Sequence, residues 1–128
     1  DLKEDMSNIQ IDVKTLFIPE QSRPERDLYV FAYTVTIANQ GDSPAQLLRR
    51  HWVITDFNQK VLEVQGDGVI GEQPRLQPGE SFTYTSGTTL ETDVGTMKGT
   101  YTMQTDNGEL FDAPINEFIL SAPQSVVH

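Results

Sequence analysis

Hydrophobic and polar positions along this chain alternate with a period of two more often than they recur every three or four residues. The clearest case is 28–38, where Tyr29, Phe31, Tyr33, Val35 and Ile37 share one face and Ala32, Thr34 and Thr36 the other. Alternation over that length predicts a half-buried β-strand whose odd-numbered face lies in the core. Ile9-Gln10-Ile11-Asp12-Val13 alternates likewise and predicts a first strand. The polar stretch 20–27, which holds Pro24, predicts an exposed loop between the two. Asn39-Gln40-Gly41-Asp42-Ser43-Pro44 is a dense turn cluster.

The segment 47–55 fits two templates. Leu47, His51 and Ile54 follow helical spacing, but the β-branched run and the turn-like Asp56-Phe57-Asn58 behind it favour a strand. If it is a strand, Arg49 and His51 point one way, Arg50 and Trp52 the other. Further strands are predicted at 61–65, at 81–85 with Phe82 and Tyr84 on one side, and at 97–104 with Met97, Tyr101 and Met103 on one face. Pro78-Gly79-Glu80 is a turn, and Asp106-Asn107-Gly108 predicts a hairpin with a type I′ turn. Pro114 marks an edge or a bulge in the returning segment, 118–120 closes the sheet, and 122–128 is a tail. Seven or eight short strands separated by turn signals describe an all-β fold, an antiparallel β-sandwich of the immunoglobulin/fibronectin type III kind.

Length and composition narrow the classes. A chain of 128 residues makes a single domain, here 9–128. Residues 1–8 are expected to be a disordered lead-in or an expression remnant, the latter for the first five, since Met6-Ser7-Asn8 reads as a natural start. Nineteen acidic against 9 basic residues give a net charge of −10, which argues against a nucleic-acid or anionic-membrane partner. Cysteine is absent, so disulfides, thiolate metal sites and cysteine nucleophiles are excluded. No stretch approaches the roughly 20 apolar residues of a membrane-spanning helix. A reducing cytoplasm is the expected location.

Gly66-Asp67-Gly68-Val69-Ile70-Gly71 matches the dinucleotide pattern G-x-G-x-x-G letter for letter. That motif works only where it opens a helix whose N-terminal amides meet a pyrophosphate. Here Pro74, Pro78 and Gly79 follow, and no helix can propagate through them. Positive φ angles or a bulged strand account better for Gly66, Gly68 and Gly71, with a small-anion loop built from their amides as the alternative.

Other chemistry is thin. His51 and His128 are the only histidines, too few for a structural zinc site, and no metal site is expected. Acidic pairs such as Glu91/Asp93 and Glu25/Asp27 read as solvated surface. Ser86, with His51 as the only mid-chain base, lacks a nucleophile-elbow motif. No catalytic set and no cofactor are expected. Arg50-His51-Trp52, in the one basic cluster, is the candidate interaction patch, although a tryptophan there more often belongs to the core.

The run Glu63-Val64-Gln65-Gly66-Asp67-Gly68-Val69-Ile70-Gly71-Glu72-Gln73-Pro74, continuing through Pro78-Gly79-Glu80-Ser81-Phe82-Thr83-Tyr84-Thr85-Ser86-Gly87, strongly resembles the bacterial ApaG family, also called CorD. Tyr29-Val30-Phe31-Ala32-Tyr33, Arg50-His51-Trp52, Gly95-Thr96-Met97-Lys98-Gly99-Thr100-Tyr101 and the closing Val126-Val127-His128 agree with it. The resemblance implies a small cytoplasmic β-sandwich protein with a genetic link to cobalt resistance and magnesium efflux. Related domains appended to a eukaryotic F-box protein and a polymerase-delta-interacting protein imply a protein-interaction module. Protein partners of unknown identity are expected, as is a monomer or weak homodimer. No catalytic residue carries over.

Overall fold

A computed structural model describes residues 8–123. The expected lead-in therefore lies outside the described residues except for Asn8, whose carbonyl accepts a hydrogen bond from the Gln40 amide. The closing Val126-Val127-His128 also lies outside them.

Among the described residues eight strands follow one another: β1 (Ile9–Phe17), β2 (Tyr29–Asn39), β3 (Ala45–Asp56), β4 (Val61–Asp67), β5 (Arg75–Leu76), β6 (Ser81–Leu90), β7 (Val94–Thr105) and β8 (Leu110–Ser121). Two short 3-10 turns, Pro19–Gln21 and Pro24–Arg26, occupy the loop before β2. All pairings are antiparallel. One sheet runs β1-β2-β6; the other runs β4-β3-β7-β8, with β5 pairing β3 beyond β4. The segment 47–55 is thus strand, and the fold is the expected antiparallel sandwich.

Period-two alternation builds the core from both sheets. Phe31, Tyr33, Val35 and Ile37 of β2 are buried, as are Met97, Tyr101 and Met103 of β7. They meet Trp52 and Ile54 of β3 and Leu120 of β8 in one continuous cluster. Trp52 packs edge-on against Tyr33, Tyr101 and Phe118, with ring centroids 5.4, 6.1 and 6.0 Å away. Its indole N–H has no hydrogen-bond partner among the described residues, a cost offset by the apolar area that the ring buries.

Strand β3 changes parity part-way. Leu47 pairs with Met103, but the next pair is Arg49 with Thr102, so Leu48 is an extra residue in a β-bulge. Before it, odd-numbered Ala45 and Leu47 face inward; after it, even-numbered Trp52 and Ile54 do. Without the bulge, Trp52 would face solvent and His51 the core.

Turn chemistry differs from expectation at one hairpin. The Gly108 amide donates to the Thr105 carbonyl, and Gly108 has φ +90° while Asn107 does not have a positive φ. This is a type I turn closed by a left-handed glycine bulge, not the predicted type I′ turn. Pro114 lies on edge strand β8 beside a register shift between Met97 and Gly99, which satisfies both expectations for it. Strand β8 is far longer than the predicted closing strand. Ala122, assigned to the tail, is buried, and its amide donates to the Asp93 carbonyl.

The sandwich has a closed side and an open side. Strands β1 and β8 lie against each other on one side. On the other, edges β4 and β6 stand apart around a cleft.

Candidate functional site

The three motif glycines each answer a different local demand. Gly66 pairs with Arg50 across β3 and β4. A Cβ at Gly66 would lie 2.7 Å from the Arg50 guanidinium, so the bare glycine is the floor on which that group rests. Arg50 then donates to the Asp67 carbonyl at 3.1 Å and the Gly68 carbonyl at 2.9 Å. Gly68 has φ +65°, and a Cβ there would collide with the Glu72 carbonyl. Its amide donates to the carbonyl of Leu48, which also accepts from the Gln73 side chain, so the loop locks the bulge of β3.

Gly71 is the last central residue of a two-residue turn. The Val69 amide donates to the Glu72 carbonyl and the Glu72 amide returns the bond. Ile70 and Gly71 have φ +44° and +79°, the signature of a type I′ turn. An exposed, β-branched isoleucine is strained in that conformation. Ile70→Asn should therefore stabilise the protein by about 0.5–1 kcal/mol, seen as a higher urea midpoint at unchanged slope.

Gly66 and Asp67 line a shallow surface concavity together with Arg49, Arg50, His51, Gln65 and Thr102. Its charges are largely paired: Arg49 Nε lies 3.8 Å from Asp67, and His51 Nε2 lies 2.9 Å from Glu63. Within the expected patch Arg50-His51-Trp52, Trp52 is buried at 2% exposure, so only Arg50 and His51 reach this surface. Ser86 lies on β6 and His51 on β3, in different sheets. Among the described residues no three His, Asp or Glu side chains gather as a metal cluster. Glu91 instead pairs with Lys60 at 3.2 Å.

A hydrogen-bonded tyrosine pair lies beneath Arg50. The Tyr84 and Tyr101 hydroxyls meet at 2.5 Å and join β6 to β7 across the two sheets. Burial is the main cause of a raised phenol pKa in both, with Tyr84 pushed up to about 12, while the Arg50 charge opposes the rise. At the periphery Arg75 grips Asp106, a hydrogen bond that holds the carboxyl below its usual range.

The second cavity is the cleft of about 420 Å³ on the open side. Leu28, Ile54, Leu62 and Leu90 line it, with Arg26, Lys60 and Glu91 among its polar residues. Val61 and Leu62 at its β4 side are 57% and 54% exposed. Sequence reasoning missed this cleft, because it is made by two edges distant in the chain.

The ApaG domain family model matches residues 19–105. The chain belongs to the ApaG family. Protein ApaG of Dechloromonas aromatica is 56% identical over 124 residues, covering 95% of this chain and 98% of its own. Protein ApaG of Azotobacter vinelandii is 56% identical over 115 residues, covering 90% and 91%. A crystal structure of an ApaA protein from Bordetella pertussis superposes with a TM-score of 0.90 at 50% identity, covering 93% of this chain and 97% of that one. The match to the ApaG model spans both the 66–71 loop and the cleft, from Arg26 to Glu91.

Proposed function

We propose that this ApaG-family chain is a non-enzymatic, cytoplasmic protein-interaction module that serves divalent-cation homeostasis, cobalt resistance and magnesium efflux, through protein partners. One observation carries the interaction reading: the open side presents exposed Val61 and Leu62 beside an apolar cleft. Contiguous exposed apolar surface at a rimmed cleft is the usual mark of a recognition site. The cation link rests on the family resemblance alone. A crosslinking pull-down from the native host, with and without cobalt or magnesium stress, should recover a recurrent protein partner. Repeated recovery of none would overturn the reading.

A second reading, a small anion near the 66–71 loop, draws support from Arg49, Arg50 and His51 around one concavity. Gly68 already gives its amide to Leu48, so side-chain cations would have to supply most of the binding. Pyrophosphate titration that shifts no amide among Gly66, Gly68 and Gly71 would exclude it.

A further inference from the structure

Among the described residues, the edge strands of the two sheets are not protected alike. Edge strand β1 carries Asp12 and Lys14; β4 carries Glu63 and Asp67; β8 carries Asp112, Pro114, Glu117 and a register shift. Charges, prolines and bulges are the devices by which proteins stop a free edge from adding another strand. Strand β6, Ser81-Phe82-Thr83-Tyr84-Thr85-Ser86-Gly87-Thr88-Thr89-Leu90, has none of them. It pairs with β2 over its full length without a register shift, and no other described strand pairs with it.

The same strand borders the cleft. Thr89, Leu90 and the following Glu91 line it opposite Val61 and Leu62 of β4. A strand added to β6 would lie across the mouth of the open side, and its inward side chains would cover the exposed Leu62, which pairs with the inward-facing Ile54. Main-chain bonds to the edge supply affinity in this mode, and pockets for alternate side chains supply specificity.

Charge selects the occupant. Glu80 and Glu91 flank the uncharged strand at its two ends. Glu91 is paired with Lys60, whereas Glu80 accepts from the Gln77 amide and has no cation of its own in a salt bridge among the described residues. In a full antiparallel pairing with a second copy, Glu80 of one copy faces Glu91 of the other at both ends. Like charges placed opposite each other oppose pairing, and the chain's net charge of −10 adds to the repulsion. We infer that β6 accepts an extended segment of a partner protein, apolar at its inward positions and carrying lysine or arginine at the end that meets Glu80. This deepens the interaction-module reading and rests on it.

The test uses a synthetic peptide of alternating valine and threonine ended by lysines, and the same peptide ended by glutamates. With isotope-labelled protein at low salt, the lysine peptide should shift and protect amides in 82–89, and the glutamate peptide should bind about tenfold more weakly. Thr88→Lys places a charge on the inward face of the edge and should abolish binding while leaving the amide spectrum of β7 and β8 folded. Equal binding of both peptides, shifts confined to other strands, or a β6-paired homodimer seen by sedimentation would overturn the inference. The two readings separate in the lysate pull-down: a partner captured equally by wild type and T88K defeats strand addition alone, whereas no partner for either defeats the module itself.

Discussion

Gly68→Ala is expected to destabilise the protein by about 3 kcal/mol or more, while Gly71→Ala costs only about 1 kcal/mol. Both glycines are left-handed, at φ +65° and +79°, so both replacements bear the conformational penalty of an L-residue there. They part company on space. Nothing lies within 4 Å of a Cβ at Gly71, whereas one at Gly68 overlaps the Glu72 carbonyl, which is backbone and accepts the Val69 amide. Relief would have to open the turn that buries Val69 and free the Leu48 carbonyl at the bulge. Gly66→Ala should fall between the two, about 1–3 kcal/mol, because the Arg50 guanidinium can swing away but then forfeits its bonds to Asp67 and Gly68. Urea unfolding of the three variants tests the order. Equal losses at all three positions would mean that the loop is not built as described.

That order also says what the letter pattern meant. In a dinucleotide fold the glycines clear space for a pyrophosphate at a helix end. Here Gly66 clears space for an arginine of the same protein, Gly68 for a carbonyl, and Gly71 closes a hairpin. The prolines at 74 and 78 made the missing helix legible in the sequence, and the positive φ angles followed from glycine's permissiveness. The partner of Gly66 was not legible, because Arg50 reaches it only through the register of β3 with β4.

The strands themselves were readable wherever one face is apolar and the other polar, as in β2 and β7. Strand β3 was harder because Leu47 and Leu48 are both apolar, and a bulge between two leucines leaves no break in the pattern. The type I′ turn fell at Ile70-Gly71 and not at Asn107-Gly108 for a related reason. Local preference favoured asparagine, but the two-residue connection that the 69–72 backbone requires overrode it. Most of the open side was invisible for a different cause. The absence of charge in 81–90 stands in the sequence, yet it signifies an unprotected edge only once β6 is known to end its sheet.

Alkaline stability offers the second large effect, and its sign follows from the buried tyrosine pair. Tyr84 and Tyr101 keep their protons in the folded protein well above the ordinary phenol range, Tyr84 up to about 12. Below about pH 10 both phenols are neutral whether the chain is folded or not, so their contribution is fully present. Above it the unfolded chain releases protons that the native state retains. Stability should then fall by about 1.4 kcal/mol per pH unit for each tyrosine until the native phenols titrate in turn. Replacing both with phenylalanine removes this dependence, and it strands no hydroxyl because each phenol is the other's partner. Tyr84→Phe alone leaves the fully buried Tyr101 hydroxyl without that bond and should cost about 1–3 kcal/mol at neutral pH, more than its half of the double variant's loss. Urea midpoints followed by far-UV circular dichroism from about pH 9 to about pH 11.5 would separate the three proteins. A double variant that loses stability with pH as steeply as the wild type would show that the pair does not carry the alkaline transition.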